Sequence, residues 1–137
     1  MLEFDGLNYF AIAVVWLLYV VVGAFWYSPI GFGKQWSALS GVDMMGIPQN
    51  EATRTLVYVV ISAVVQAGVL AVVLNTMGAD SIGDGVTGGV VLWLGFAAAT
   101  TVGTTHYLRL GWKFWALNAA YFLVVMAVGG AILGLWD

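Results

Sequence analysis

The stretch TRTLVYVVISAVVQAGVLAVVLNTM, residues 53–77, holds no formal charge after Arg54. At ~1.5 Å per residue a helix of this length crosses a hydrocarbon layer ~30 Å thick. Three runs of the same kind accompany it, at about 7–27, 86–105 and 112–135, joined by short connections. The expectation is an all-α, integral membrane four-helix bundle forming a single membrane domain over 1–137, with a short interfacial segment after the first span.

Composition agrees. Hydrophobic residues make up 62% of the chain, charged residues 8%, and mean hydropathy is +0.97, whereas roughly a quarter of a soluble domain is charged. The length leaves no room for a separate soluble domain of ~100 residues. With four Lys and Arg against seven Asp and Glu, and a net charge of -3, the chain cannot neutralise a phosphate backbone, which excludes nucleic acid as a partner. Cysteine is absent and histidine occurs once. No metal site and no cofactor are expected from such a donor set.

Local signals mark the ends of the runs. Pro29 closes the first; Asn50 with Glu51 is expected to cap the second and favour its positive end, and Gly78 to end it; Asp84 is expected to cap the third. Gly111 leaves the third and fourth little choice but to lie antiparallel. The leading MLEFDG carries Glu3 and Asp5 where a signal peptide carries Lys or Arg, so the first run is expected to be a retained span. All four basic residues fall between spans one and two (Lys34, Arg54) or three and four (Arg109, Lys113). The positive-inside rule then puts loops 28–52 and 106–112 in the cytoplasm and both termini outside, with Glu3, Asp5, Asp80, Asp84 and Asp137.

In the first loop, Phe32, Trp36 and Leu39 share a helical face, with Gly41 as a stop. Two readings stand: a short helix in the headgroup plane, or a compact turn held by Trp26 and Trp36 as aromatic-belt residues. The segment Trp26-Tyr27-Ser28-Pro29, followed by Phe32-Gly33-Lys34 and Trp36, resembles a family of small bacterial and archaeal membrane proteins known only as domain of unknown function 1761. Asn118-Ala119-Ala120-Tyr121 and the closing Gly130 to Trp136 resemble that family's last helix. The resemblance covers nearly the whole chain. It implies a four-span fold in a prokaryotic cytoplasmic membrane and supplies no catalytic residue.

Polar residues within the spans recur at similar depths. Counting inward from the basic end brings Ser62, Thr100 and Asn118 to one level, and Gln66, Tyr19 and Tyr121 to a second near mid-membrane. Gln66 carries a primary amide that cannot face lipid tails without losing hydrogen bonds. The layer formed by Ser62, Gln66, Thr100, Asn118 and Tyr121 reads either as the lining of a small polar cavity or as glue between helices, at ~0.6 to 2 kcal/mol per pair. Thr100 and Thr101 are expected to return their hydroxyls to carbonyls one turn back. His106 reads as an interfacial histidine or a headgroup-binding one.

Gly95, Ala99 and Gly103, preceded in the same rhythm by Gly85 and Gly89, form a small-residue groove for helix packing. Ala63, Ala67 and Ala71 offer a second, and span four a third. A spare groove would suit a homo-oligomer. Lys34, Arg54, Arg109 and Lys113 with Trp36, Trp112 and Trp115 form a rim suited to anionic lipid headgroups.

No Asp, Glu, Lys or Cys lies within the middle of any run, which argues against an enzyme. The leading expectation is a non-enzymatic scaffold or accessory subunit that self-associates or binds a membrane partner or lipid. The alternative is a small channel or transporter for a neutral or weakly polar solute through the polar layer around Gln66 and Asn118.

Overall fold

Asn8 has extended backbone, and its Oδ1 accepts from the Ala11 amide at 3.1 Å. That satisfies one orphan donor at a helix start. The apolar run behind it winds into α1 (Tyr9–Trp26). In the computed structural model, which describes residues 1–136, α1 is followed by α2 (Gly33–Ser40), a 3-10 turn at Met44–Gly46 and α3 (Gln49–Thr76). Then come α4 (Ile82–Trp93), a π turn at Leu94–Ala98, α5 (Ala99–Tyr107) and α6 (Gly111–Leu135). Backbone angles stay helical from α4 through the π turn into α5, so Ile82–Tyr107 is one rod. Four helices are therefore long and apolar enough to cross a membrane. The chain is an all-α four-helix membrane bundle, with no strand among the described residues. Asp137, expected with the other carboxylates, lies outside the described residues.

The segment after α1 takes the helical alternative: α2 runs for eight residues and stops at Gly41, whose left-handed φ of 76° lets its amide return to Ser37 O. Two cap expectations are corrected. Pro48, with φ -55° and an extended ψ of 143°, launches α3 at Gln49, so Asn50 and Glu51 already lie in the first turn. Ser81, not Asp84, caps α4. Its Oγ accepts from the Asp84 amide at 3.1 Å, while Asp84 Oδ2 accepts from the Asp80 amide at 3.4 Å.

The core lies along α6. Val15 and Tyr19 of α1, Ala63 and Ala67 of α3, and Tyr121 and Val125 of α6 form one buried cluster; Leu70, Leu74 and Ala79 form a second. The closest approach is α4 on α6. A Cβ on Gly85 would strike the Gly130 carbonyl, and one on Gly89 the Met126 carbonyl. Lipid provides no hydrophobic drive between helices, so backbone proximity of this kind is what holds them.

The glycine rhythm does not continue along the same face, which corrects the expectation of one unbroken groove. Gly95, Ala99 and Gly103 are exposed, and a Cβ on either glycine would meet open space. Gly95 follows Gly89 by six residues, not four, which in a 3.6-residue helix already turns it about a third of the way round from the Gly85 and Gly89 face, and a π turn at Leu94–Ala98 then shifts the packed face further. The turn closes with the Ala99 amide on Leu94 O, five residues back. The extra residue rotates the rod, so the face turned toward α6 passes from Gly85, Gly89 and Trp93 to Ala98 and Thr105.

At one end of the bundle the segment before α1 is tied down. Asn75 Nδ2 donates to Glu3 O and Asp5 O, both at 3.0 Å; the Glu3 amide donates to Thr76 Oγ at 2.8 Å; Asn8 Nδ2 donates to Trp136 O at 3.0 Å. Glu3, Asp5, Asp80 and Asp84 thus share an end, and Lys34, Arg54, Arg109 and Lys113 belong to the other. Near the acidic end α3 meets α4, where Leu74 and Met77 lie over Gly88. Toward the basic end α3 and α5 go bare. Every residue of 49–59 is exposed, and so is every residue of 99–109 except Thr105.

Candidate binding cleft

The motif after α1 is a folding device. The Ser28 hydroxyl donates to Phe25 O at 2.6 Å and accepts from the Gly31 amide; the Phe32 and Gly33 amides return to Trp26 O and Ser28 O. Gly31 and Gly33 press so tightly on these carbonyls that neither position has room for a Cβ. The reversal sets Trp26 against Phe32, ring centroids 4.7 Å apart, and Tyr27 edge-on to Trp36, which reaches Phe114 of α6 at 6.1 Å. Ser28, Phe32 and Gly33 thus build the reversal, Trp36 sets α2 against α6, Trp26 and Tyr27 bond α6 from the end of α1, and Pro29 is exposed. Lys34 is exposed on the outer face.

The expected polar layer splits into separate pairs. Tyr27 donates its hydroxyl to Asn118 Oδ1 at 2.8 Å, and Tyr121 donates to Tyr19 O at 2.7 Å; both bonds tie α6 to α1. Thr100 donates to Gly95 O, five residues back, and Thr101 to Ala97 O, so these hydroxyls serve their own rod. His106 Nδ1 lies 2.7 Å from Val102 O and so carries the proton toward that carbonyl. Gln66 Nε2 donates to Ser62 Oγ at 2.8 Å, within α3. Gln66 and Asn118 therefore address different neighbours.

Four indoles act in a way that reading the sequence did not anticipate. Trp16 donates to Val60 O, Trp26 to Leu117 O, Trp93 to Ala119 O and Trp115 to Ala98 O, at 2.7 to 3.2 Å. Each joins two long helices through a backbone carbonyl. Trp115, expected at the headgroup rim, instead holds α6 to the end of the π turn. The signal was present for Trp16 and Trp93, which sit too deep in their runs to be belt residues.

Where α3 and the α4–α5 rod part, they leave a cleft of about 570 Å³. Val65, Gln66, Val69, Leu70 and Val73 form one wall; Leu92, Phe96, Ala97 and Thr101 form the other; Tyr19, Phe122 and Met126 close the back. Val65, Val69 and Phe96 are exposed, so the cleft opens sideways, toward lipid in a membrane. Its size is that of a small-molecule site, and its walls are apolar with few polar groups. The π turn supplies Phe96 and Ala97, and such turns occur disproportionately at functional positions.

The family described as "Protein of unknown function (DUF1761)" matches residues 10–134. No curated protein and no solved structure matches the chain.

Proposed function

Since the chain belongs to that family, whose description assigns no chemistry, we propose from its geometry that it is a non-enzymatic scaffold or accessory subunit of a membrane assembly. The observation that carries this reading is the bare half-bundle at the basic end. Residues 49–59 of α3 and nearly all of 99–109 contact no other helix closely enough to be covered, although Leu56, Val57, Tyr58, Val59 and Val102 are large and apolar. Lipid can cover such faces. A second helix covers them with more dispersion contact wherever small residues permit close approach, as Gly95, Ala99 and Gly103 do. The occupant we favour is a second copy of this chain, with other membrane proteins as the remaining candidates.

The middle of the four long helices carries no Asp, Glu, Lys or Cys, which supports a role without catalysis. The reading includes a prokaryotic cytoplasmic membrane, with loops 28–52 and 106–112 on the cytoplasmic side. Lys34, Arg54, Arg109 and Lys113 gathered at one end support that orientation and suit anionic lipid headgroups there. A solute route through Gln66 and Asn118 draws no support from their separate bonding. Photo-cross-linkable residues placed at Tyr58 and Val102, activated in native membranes, test the scaffold reading. It predicts discrete adducts at twice the chain mass or with a defined partner; adducts to lipid alone contradict it.

A further inference from the structure

Tyr19 is only 2% exposed, yet it forms part of the cleft wall. Its backbone carbonyl accepts from Tyr121, but its own phenolic hydroxyl has no hydrogen-bond partner within the chain. No side-chain polar atom is both sealed and unsatisfied among the described residues, so this hydroxyl reaches the cleft surface. Gln66, in the α3 wall of the same cleft, uses one N–H on Ser62 and keeps its second N–H and its carbonyl oxygen without a partner. Both residues lie about ten positions, or ~15 Å, from the acidic ends of α1 and α3, near mid-bilayer. A buried donor left unmatched is unfavourable, and far more so where no water competes.

We infer that this cleft is a binding site for a neutral, carbonyl-bearing lipid of the isoprenoid-quinone class, with the Tyr19 hydroxyl and the Gln66 amide donating to its carbonyl oxygen. The chemistry narrows the occupant. A phospholipid tail fills the apolar walls but offers no acceptor at this depth, because its esters lie at the interface. A charged ligand meets no counter-charge: the walls hold no Asp, Glu, Lys or Arg. An uncharged ring carbonyl on an apolar tail satisfies both donors and leaves by the open flank between Val65, Val69 and Phe96. This site is independent of what covers the outer faces of α3 and α5.

The test uses the full chain in phosphatidylcholine nanodiscs, with tritiated decylubiquinone as the probe. Saturable binding of about one probe per chain is expected. Unlabelled decylubiquinone should compete, whereas decylbenzene, with the same tail and no carbonyl, should not. Tyr19→Phe, which removes one oxygen, and Gln66→Leu should each weaken binding about 3- to 10-fold; Tyr58→Phe, outside the cleft, should leave it unchanged. Non-saturable uptake overturns the assignment, as does equal competition by decylbenzene, which would reduce the cleft to a hydrocarbon groove. Native affinity in both Tyr19→Phe and Gln66→Leu overturns it as well. The competition arm needs no variant and stands even if one fails to fold. Loss of the Tyr58 and Val102 cross-links would defeat the scaffold reading while leaving this binding intact.

Discussion

Gly85 and Gly130 bring two helix backbones into contact, with each glycine lying where the other's carbonyl excludes a Cβ. This pair fixes how α4 sits on α6, and Gly89 on Met126 and Gly134 on Ser81 repeat it one turn to either side. The contrast with Gly95 and Gly103, which face open space, separates two roles that the sequence rhythm had merged.

Gly85→Ala and Gly130→Ala should each destabilise the protein by about 1 to 3 kcal/mol, since the added methyl meets backbone that cannot turn aside. Gly95→Ala and Gly103→Ala, which meet nothing within the single chain, should leave the stability of the monomer unchanged or raise it by up to about 1 kcal/mol from helix propensity, any loss being confined to self-association. Unfolding midpoints in a mild detergent, with SDS as denaturant, check all four. Equal losses in both pairs would mean that the exposed groove is also packed.

Trp115→Phe should cost about 0.5 to 1.5 kcal/mol by removing the donor to Ala98 O while keeping most of the aromatic bulk. Trp112→Phe, at an exposed position, should cost almost nothing. The same unfolding assay distinguishes them, and similar losses would make Trp115 an ordinary belt residue after all.

Tyr27 and Asn118 should be energetically coupled. A double-mutant cycle with Tyr27→Phe and Asn118→Leu should return an interaction of about 0.6 to 1.7 kcal/mol, the range found for hydrogen bonds between membrane helices. Additive single effects would show that the motif holds α6 through its ring contacts alone.

The fold was legible in the sequence because lipid allows so few solutions: an uncharged run of span length has to be a helix, and short connections between such runs have to make antiparallel neighbours. Phe32, Trp36, Leu39 and Gly41 likewise carried the α2 signal in their spacing. What the residues concealed was rotation. A π turn has no composition of its own, so nothing in Leu94-Gly-Phe-Ala-Ala98 announced that the packed face would step from Trp93 to Ala98. The same limit applied to the polar layer. Depth along a helix can be counted from sequence, but the direction in which Gln66 or Asn118 points depends on how the helices are turned against one another. Gln66 stands out in the sequence as an amide needing company; that Tyr19, with its unpartnered hydroxyl, lines the same cleft required the structure.

Asn75→Leu should release the segment before α1, because it deletes the donor that holds both Glu3 O and Asp5 O. Amide exchange over residues 3–8 should rise while that of α6 stays unchanged. Continued protection of residues 3–8 would show that Thr76 and Asn8 suffice.

The claim on which everything else depends is that the chain crosses the bilayer four times with its basic end inside the cell. The absence of cysteine makes a direct test available. Single cysteines introduced as Glu3→Cys, Ser40→Cys, Asp80→Cys and Leu108→Cys are treated with a membrane-impermeant maleimide in intact cells and again after permeabilisation. Positions 3 and 80 should label in intact cells, and positions 40 and 108 only once the membrane is opened. Labelling of positions 3 and 40 from the same side would contradict the account.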